Sequence, residues 1–119
     1  MIDIASLVAL CQLALAGGNK AKKKIEMRRK RKLSDAEREL LIAAASEGTF
    51  LFISLDQGTW IRAEGQDFPA TEDADPALTA AYIKAFKHLC ERGYIEHDSG
   101  MLFRLTVAGF KEARRLAHL

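Results

Sequence analysis

Apolar residues recur at helical spacing from the start of the chain. Ile4, Leu7, Val8, Cys11 and Leu15 follow i, i+3, i+4, i+7, i+11 and define one face of a helix over residues 2–16. Ala5, Ala9, Gln12 and Ala16 lie opposite, and Gly17-Gly18-Asn19 offers a stop. Fifteen helical residues reach about 22 Å, short of a bilayer core of roughly 30 Å, so a transmembrane span is not expected. With no basic residue ahead of the apolar run, a signal peptide is not expected either.

The pattern resumes at residue 33. Ser34 and Glu37 stand at the spacing of a capping box, opening a helix toward Gly48 with Leu40, Leu41, Ala44 and Ala45 inward. Residues 49–55 (TFLFISL) are rich in aromatic and β-branched types, and 59–63 (TWIRA) return after Asp56-Gln57-Gly58, which predicts a hairpin over 49–63. A loop with five acidic residues ends at Asp75-Pro76, an N-cap with proline at the first helical position. The helix that follows places Leu78, Tyr82, Ala85, Phe86 and Leu89 inward, Lys84, Lys87, His88 and Glu91 outward, and stops at Gly93. A second hairpin turns at His97–Gly100. Thr106 then caps a last helix with Val107, Phe110, Ala113 and Leu116 or Ala117 inward.

Charge changes this picture more than composition does. Apolar residues at 49% and charged residues at 29% describe an ordinary folded domain and exclude a disordered chain. The net charge of +2 conceals a strong asymmetry. Residues 20–32 (KAKKKIEMRRKRK) hold nine Lys or Arg against one Glu, for +8, whereas residues 33–119 hold nine basic and fourteen acidic residues, for −5. Like-charge repulsion disfavours an isolated helix in 20–32, so the expectation is a basic connector between the apolar helix (1–19) and a folded body (33–119). Such a run suits phosphates or, behind an apolar helix, an anionic lipid surface.

Residues 86–95 (FKHLCERGYI) and 103–109 (FRLTVAG) resemble the second half of a winged-helix domain. In that superfamily a recognition helix ends in a Leu-x-x-x-Gly turn, a two-stranded wing follows, and Leu-Thr-x-x-Gly opens the next helix. The resemblance implies an α+β, winged-helix-like fold with an extra hairpin at 49–63 in place of the usual preceding helix. It also implies Lys84, Lys87, His88 and Arg104 as groove or wing contacts. Glu72, Asp73 and Asp75 before the recognition helix, with Glu96 and Asp98 in the wing, make that surface unfavourable for phosphates.

Catalytic chemistry is not legible. His88, His97 and His118 do not stand at metal-ligand spacing with Cys11 or Cys90, and no phosphate-loop, dinucleotide or hydrolase motif occurs. No metal or cofactor is expected. Phe50, Phe52 and Trp60 could form a base-stacking platform, although alternating strand aromatics more often belong to a core. Two cysteines cannot build a disulfide framework, which favours the cytoplasm.

The expected function is non-enzymatic nucleic-acid binding, DNA ahead of RNA. Phosphates would be gripped by Lys20, Lys22, Lys23, Lys24, Arg28, Arg29, Lys30, Arg31 and Lys32, assisted by Lys84, Lys87 and Arg104. The alternative is an adaptor or accessory subunit with a protein partner or a second copy, joined through Ile4, Leu7, Val8, Cys11 and Leu15. A membrane-surface role stands third.

Overall fold

In a computed structural model the chain is a mixed α+β domain with five helices and one antiparallel sheet. The structure describes residues 4–16, 19–56, 58–70 and 75–118, the side chains of 13–22 excepted. The helices are α1 (Ile4–Ala16), α2 (Asn19–Lys30), α3 (Asp35–Ala43), α4 (Pro76–Glu91) and α5 (Val107–Ala117). The strands are β1 (Thr49–Leu55), β2 (Gly58–Ala63), β3 (Gln66–Phe68), β4 (Ile95–Ser99) and β5 (Leu102–Leu105). Their order across the sheet is β3-β2-β1-β5-β4.

Helix starts follow local chemistry. Ser34 Oγ accepts from the Glu37 amide and Glu37 Oε1 accepts from the Ser34 amide, so α3 opens on a complete capping box. Asp75 accepts from the Leu78 amide at 2.9 Å ahead of Pro76. Thr106 Oγ1 accepts from the Gly109 amide at 3.1 Å and donates to the Gly93 carbonyl at 2.7 Å. Gly109 is required by packing: a Cβ there would stand 2.1 Å from the Tyr94 carbonyl oxygen. α3 ends earlier than its sequence pattern suggests, at Ala43.

The sheet supplies one wall of the core and α4 lies on it. Phe86 of α4 meets Phe50 and Phe103 edge-on, with ring centroids 5.4 and 5.2 Å apart. Phe52 is buried beside them, at 5.8 Å from Phe86. Leu40 and Leu41 of α3, Ile83 and Leu89 of α4, Ile61 of β2 and Ile95 of β4 complete the interior. Trp60 pairs with Ile53 across β1 and β2, one position out of phase with Phe52 and Ile61. It therefore faces the other side of the sheet, and the three aromatics form no common stacking platform.

Several sequence expectations need correction. The loop after the first hairpin contains β3, paired to β2 through Ile61↔Phe68, so the hairpin is the first part of a three-stranded meander. Leu78 and Tyr82 are only half-buried, and Ile83 takes a core position instead. Val107 is exposed. The largest correction concerns residues 20–32, where repulsion is expected to disfavour a helix: most of this basic connector is helix α2. Repulsion among its lysines is overcome by tertiary contacts at its C-terminal half. Glu72 and Asp73 lie outside the described residues.

Candidate functional site

The site begins where two helix ends meet. The last carbonyls of any α-helix lack intrahelical partners and carry the negative pole of the helix dipole. α2 and α4 both end at this place, and each supplies arginines to the other's end. Arg92, just past α4, donates from Nη1 to the carbonyls of Arg28 and Arg31, the latter at 2.9 Å, and from Nη2 to Lys32 O at 3.3 Å. In return Arg28 Nη1 reaches Glu91 O at 3.4 Å, and Arg29 Nε donates to Arg92 O at 2.8 Å. The Arg29 guanidinium also lies over the Tyr94 ring, 5.2 Å from its centroid.

Arg92 is 6% exposed and its partner Glu37 is 2% exposed, with Nε–Oε2 at 2.8 Å. A buried guanidinium is tolerable only with its charge balanced and its donors satisfied. Glu37 supplies the charge and the α2 carbonyls accept the remaining donors. Glu37 thus joins three helices: it completes the cap of α3, and through Arg92 at the end of α4 it holds the end of α2. Gly93, at φ 74°, turns the chain after α4 and leaves room for α2; a Cβ there would stand 3.0 Å from Arg29 Nη2 and 3.5 Å from Ile25 Cγ2. Ile25 is buried.

Beside this junction opens a cleft of about 620 Å³. It is lined by Arg28, Arg31 and Lys32 from the end of α2 and by Lys84 and His88 of α4. Ala36, Ala81 and Ala85 form a floor without long side chains. The lining acids each face a cation. Glu37 is bound to Arg92, Asp35 to Arg38, and Glu91 Oε1 stands 3.8 Å from Lys87 Nζ. Among the described residues, no carboxylate lies within 4.0 Å of the charged groups of Lys23, Lys24, Lys30, Arg31, Lys32 or Lys84.

The residues expected to bind phosphate therefore separate into groups. Lys23, Lys24, Lys30, Arg31 and Lys32 are exposed on or just beyond α2, and Arg31 and Lys32 share the cleft lining with Lys84. Arg28 and Arg29 are held against the body by backbone carbonyls. Lys87 faces Glu91. Arg104 lies between two acids of the β4–β5 hairpin, with Nε 2.6 Å from Glu96 Oε1 and Nη1 3.8 Å from Asp98 Oδ1. The hydrogen bond that Arg104 donates to Glu96, aided by the charges of both nearby carboxylates, raises the Arg104 pKa further. The side chains of Lys20 and Lys22 lie outside the described residues.

The expected self-association face is in use within the chain. Leu7 and Cys11 are buried against the body, where α1 packs on α4 and β4, and Ile4 and Val8 are partly buried beside them. Cys11 Sγ donates to Ile95 O at 3.4 Å. Burial pushes the Cys90 thiol well above its usual pKa, so this cysteine is a neutral core group. The side chain of Leu15 lies outside the described residues. No helix among the described residues is long and apolar enough to cross a membrane.

Arg92 and its bond to Glu37 had no signature in the sequence. Glu37 was visible only as a capping residue and Arg92 only as the last residue before a stop glycine, because 55 residues separate them. No protein-family model, curated protein or solved structure matches this chain.

Proposed function

We propose that this protein is a non-enzymatic nucleic-acid-binding protein that grips the phosphates of DNA through α2 and the adjoining outer face of α4. One observation carries the reading: Arg28, Arg31 and Lys32 at and just beyond the end of α2 line one cleft with Lys84 of α4, and among the described residues no carboxylate lies within 4.0 Å of the charged groups of Arg31, Lys32, Lys84 or the nearby Lys23, Lys24 and Lys30. A rigid cationic surface of this kind releases counterions from a polyanion and needs no base-specific contact.

The body is read as winged-helix-like. Support comes from the chain order α3, β1, α4, β4, β5, from the sheet order β1-β5-β4, and from the Gly93 and Thr106 turns on either side of the β4–β5 hairpin. β2 and β3 stand where a second helix would be and extend the sheet. On this reading the added helix α2 does the gripping, and the wing, with Arg104 between Glu96 and Asp98, does not.

Titration of labelled duplex DNA at several salt concentrations tests the proposal. The full chain is compared with a variant carrying Gln in place of Lys23, Lys24, Lys30, Arg31 and Lys32. If all five contact phosphates, the slope of log affinity against log salt falls by about 4.5 and low-salt affinity by on the order of a hundredfold or more. Circular dichroism checks that the variant keeps its helices. Equal binding by the two chains refutes the proposal.

A further inference from the structure

The exposed lysines of α2 suit a phosphate chain of any kind, but the cleft is more particular. Its volume of about 620 Å³ falls in the range that encloses a small organic ligand. Its lining is cationic on balance, with Arg28, Arg31, Lys32, Lys84 and Arg92 against Asp35, Glu37 and Glu91. Its floor is alanine, from two helices: Ala36 of α3, and Ala81 and Ala85 one turn apart on α4. Side chains that end at Cβ allow a flat ring to approach closely. The N-terminus of α3 is not the basis of this reading, since its capping box already occupies the Ser34 and Glu37 amides.

We infer that this cleft seats one nucleotide unit, its phosphate between Arg31, Lys32 and Lys84 and its planar base on the alanine floor. The inference rests on the nucleic-acid reading above and names the part of the polymer that enters the cleft. Arg28 supports the wall, because its tie to Glu91 O fixes the guanidinium at the cleft edge. A unit of this chemistry could be a splayed nucleotide of a single strand or a free mononucleotide.

The full chain is titrated with adenosine monophosphate, adenosine and inorganic phosphate while backbone amide shifts are followed by NMR. Saturable shifts at residues 31–37 and 81–88 with adenosine monophosphate are expected, with adenosine and phosphate each binding about tenfold more weakly or worse. Two variants probe the halves of the site. Lys84→Gln removes one cation of the lining, and Ala81→Leu fills the floor at an exposed position. Each should weaken adenosine monophosphate about fivefold or more, with the rest of the spectrum preserved.

The inference fails if no saturable shift occurs, if shifts fall elsewhere, if both variants bind as the parent does, or if phosphate alone binds as tightly as the nucleotide. Competition by a single-stranded oligonucleotide would support it and assign the unit to a splayed strand. Nucleotide binding without such competition would support it with a free mononucleotide as the ligand. The two readings fail separately. A silent cleft with salt-sensitive DNA binding removes only this inference, whereas nucleotide binding without DNA binding removes only the proposed function.

Discussion

Arginine is used in two opposite ways at the α2–α4 junction and on the β4–β5 hairpin. On the hairpin, Arg104 lies against Glu96 and Asp98, so its field is cancelled within a few ångströms. At the junction, Arg28 and Arg29 lie against backbone carbonyls of α4. A carbonyl satisfies a guanidinium donor but carries no net charge, so the unit charge persists. Arg28 and Arg29 are thus ordered and still cationic, while the hairpin, with one arginine against two carboxylates, is ordered and net acidic. Counting arginines along the sequence treats the two places alike; what matters is which acceptor each one meets.

Breaking the junction at its centre has the largest expected effect. Arg92→Met leaves Glu37 buried and without its ion-pair partner and removes the donors to three carbonyls at and just beyond the end of α2. It should cost about 3–5 kcal/mol in urea unfolding, with helicity lost from residues 19–30. The double variant with Glu37→Met should recover only part of this, because the α2 carbonyls still lack their donors. Full recovery would mean that reciprocal capping does not hold α2.

Arg29→Gln acts from the other side of the same junction. It removes the bond to Arg92 O and the contact with Tyr94, and should cost about 1–2 kcal/mol. Stability unchanged in thermal unfolding would place the docking of α2 on Ile25 and on the Arg28 and Arg92 bonds.

The hairpin can be converted toward the behaviour of the junction. Glu96→Gln with Asp98→Asn leaves Arg104 ordered but no longer neutralised. DNA affinity should rise about threefold and the salt slope should steepen by about 1, read in the titration already described. The smallest effect is expected from Arg104→Gln in the parent chain, a change in DNA affinity of less than about twofold. A larger loss would show that the β4–β5 hairpin grips DNA despite its acids.

Part of this fold was legible because it depends on neighbours in sequence. The capping box at Ser34 and Glu37, the Asp75-Pro76 start, the Thr106 cap and the Gly93 turn all involve residues within a few positions of one another. Gly109 was legible through its family resemblance, and its contact with the Tyr94 carbonyl explains it physically. Strand β3 escaped because three residues carry too little periodicity to separate from a loop. The helicity of 20–32 escaped for a stronger reason. Local repulsion argued against it, and the opposing contacts with Glu91, Arg92, Gly93 and Tyr94 come from more than 60 residues away.

Of the candidate site, the sequence located the cations and no more. Lys84 and His88 belonged to one helix and Arg28, Arg31 and Lys32 to another segment, with no spacing rule to relate them. It determined by itself the caps, the turns, the apolar faces and the amount of charge, all of which follow from side-chain chemistry over one or two helical turns. Only the tertiary structure decided which of those charges remain open. That outcome depends on whether folding brings a carboxylate or a carbonyl to each guanidinium, and Coulomb energy varies with distance in space, not along the chain.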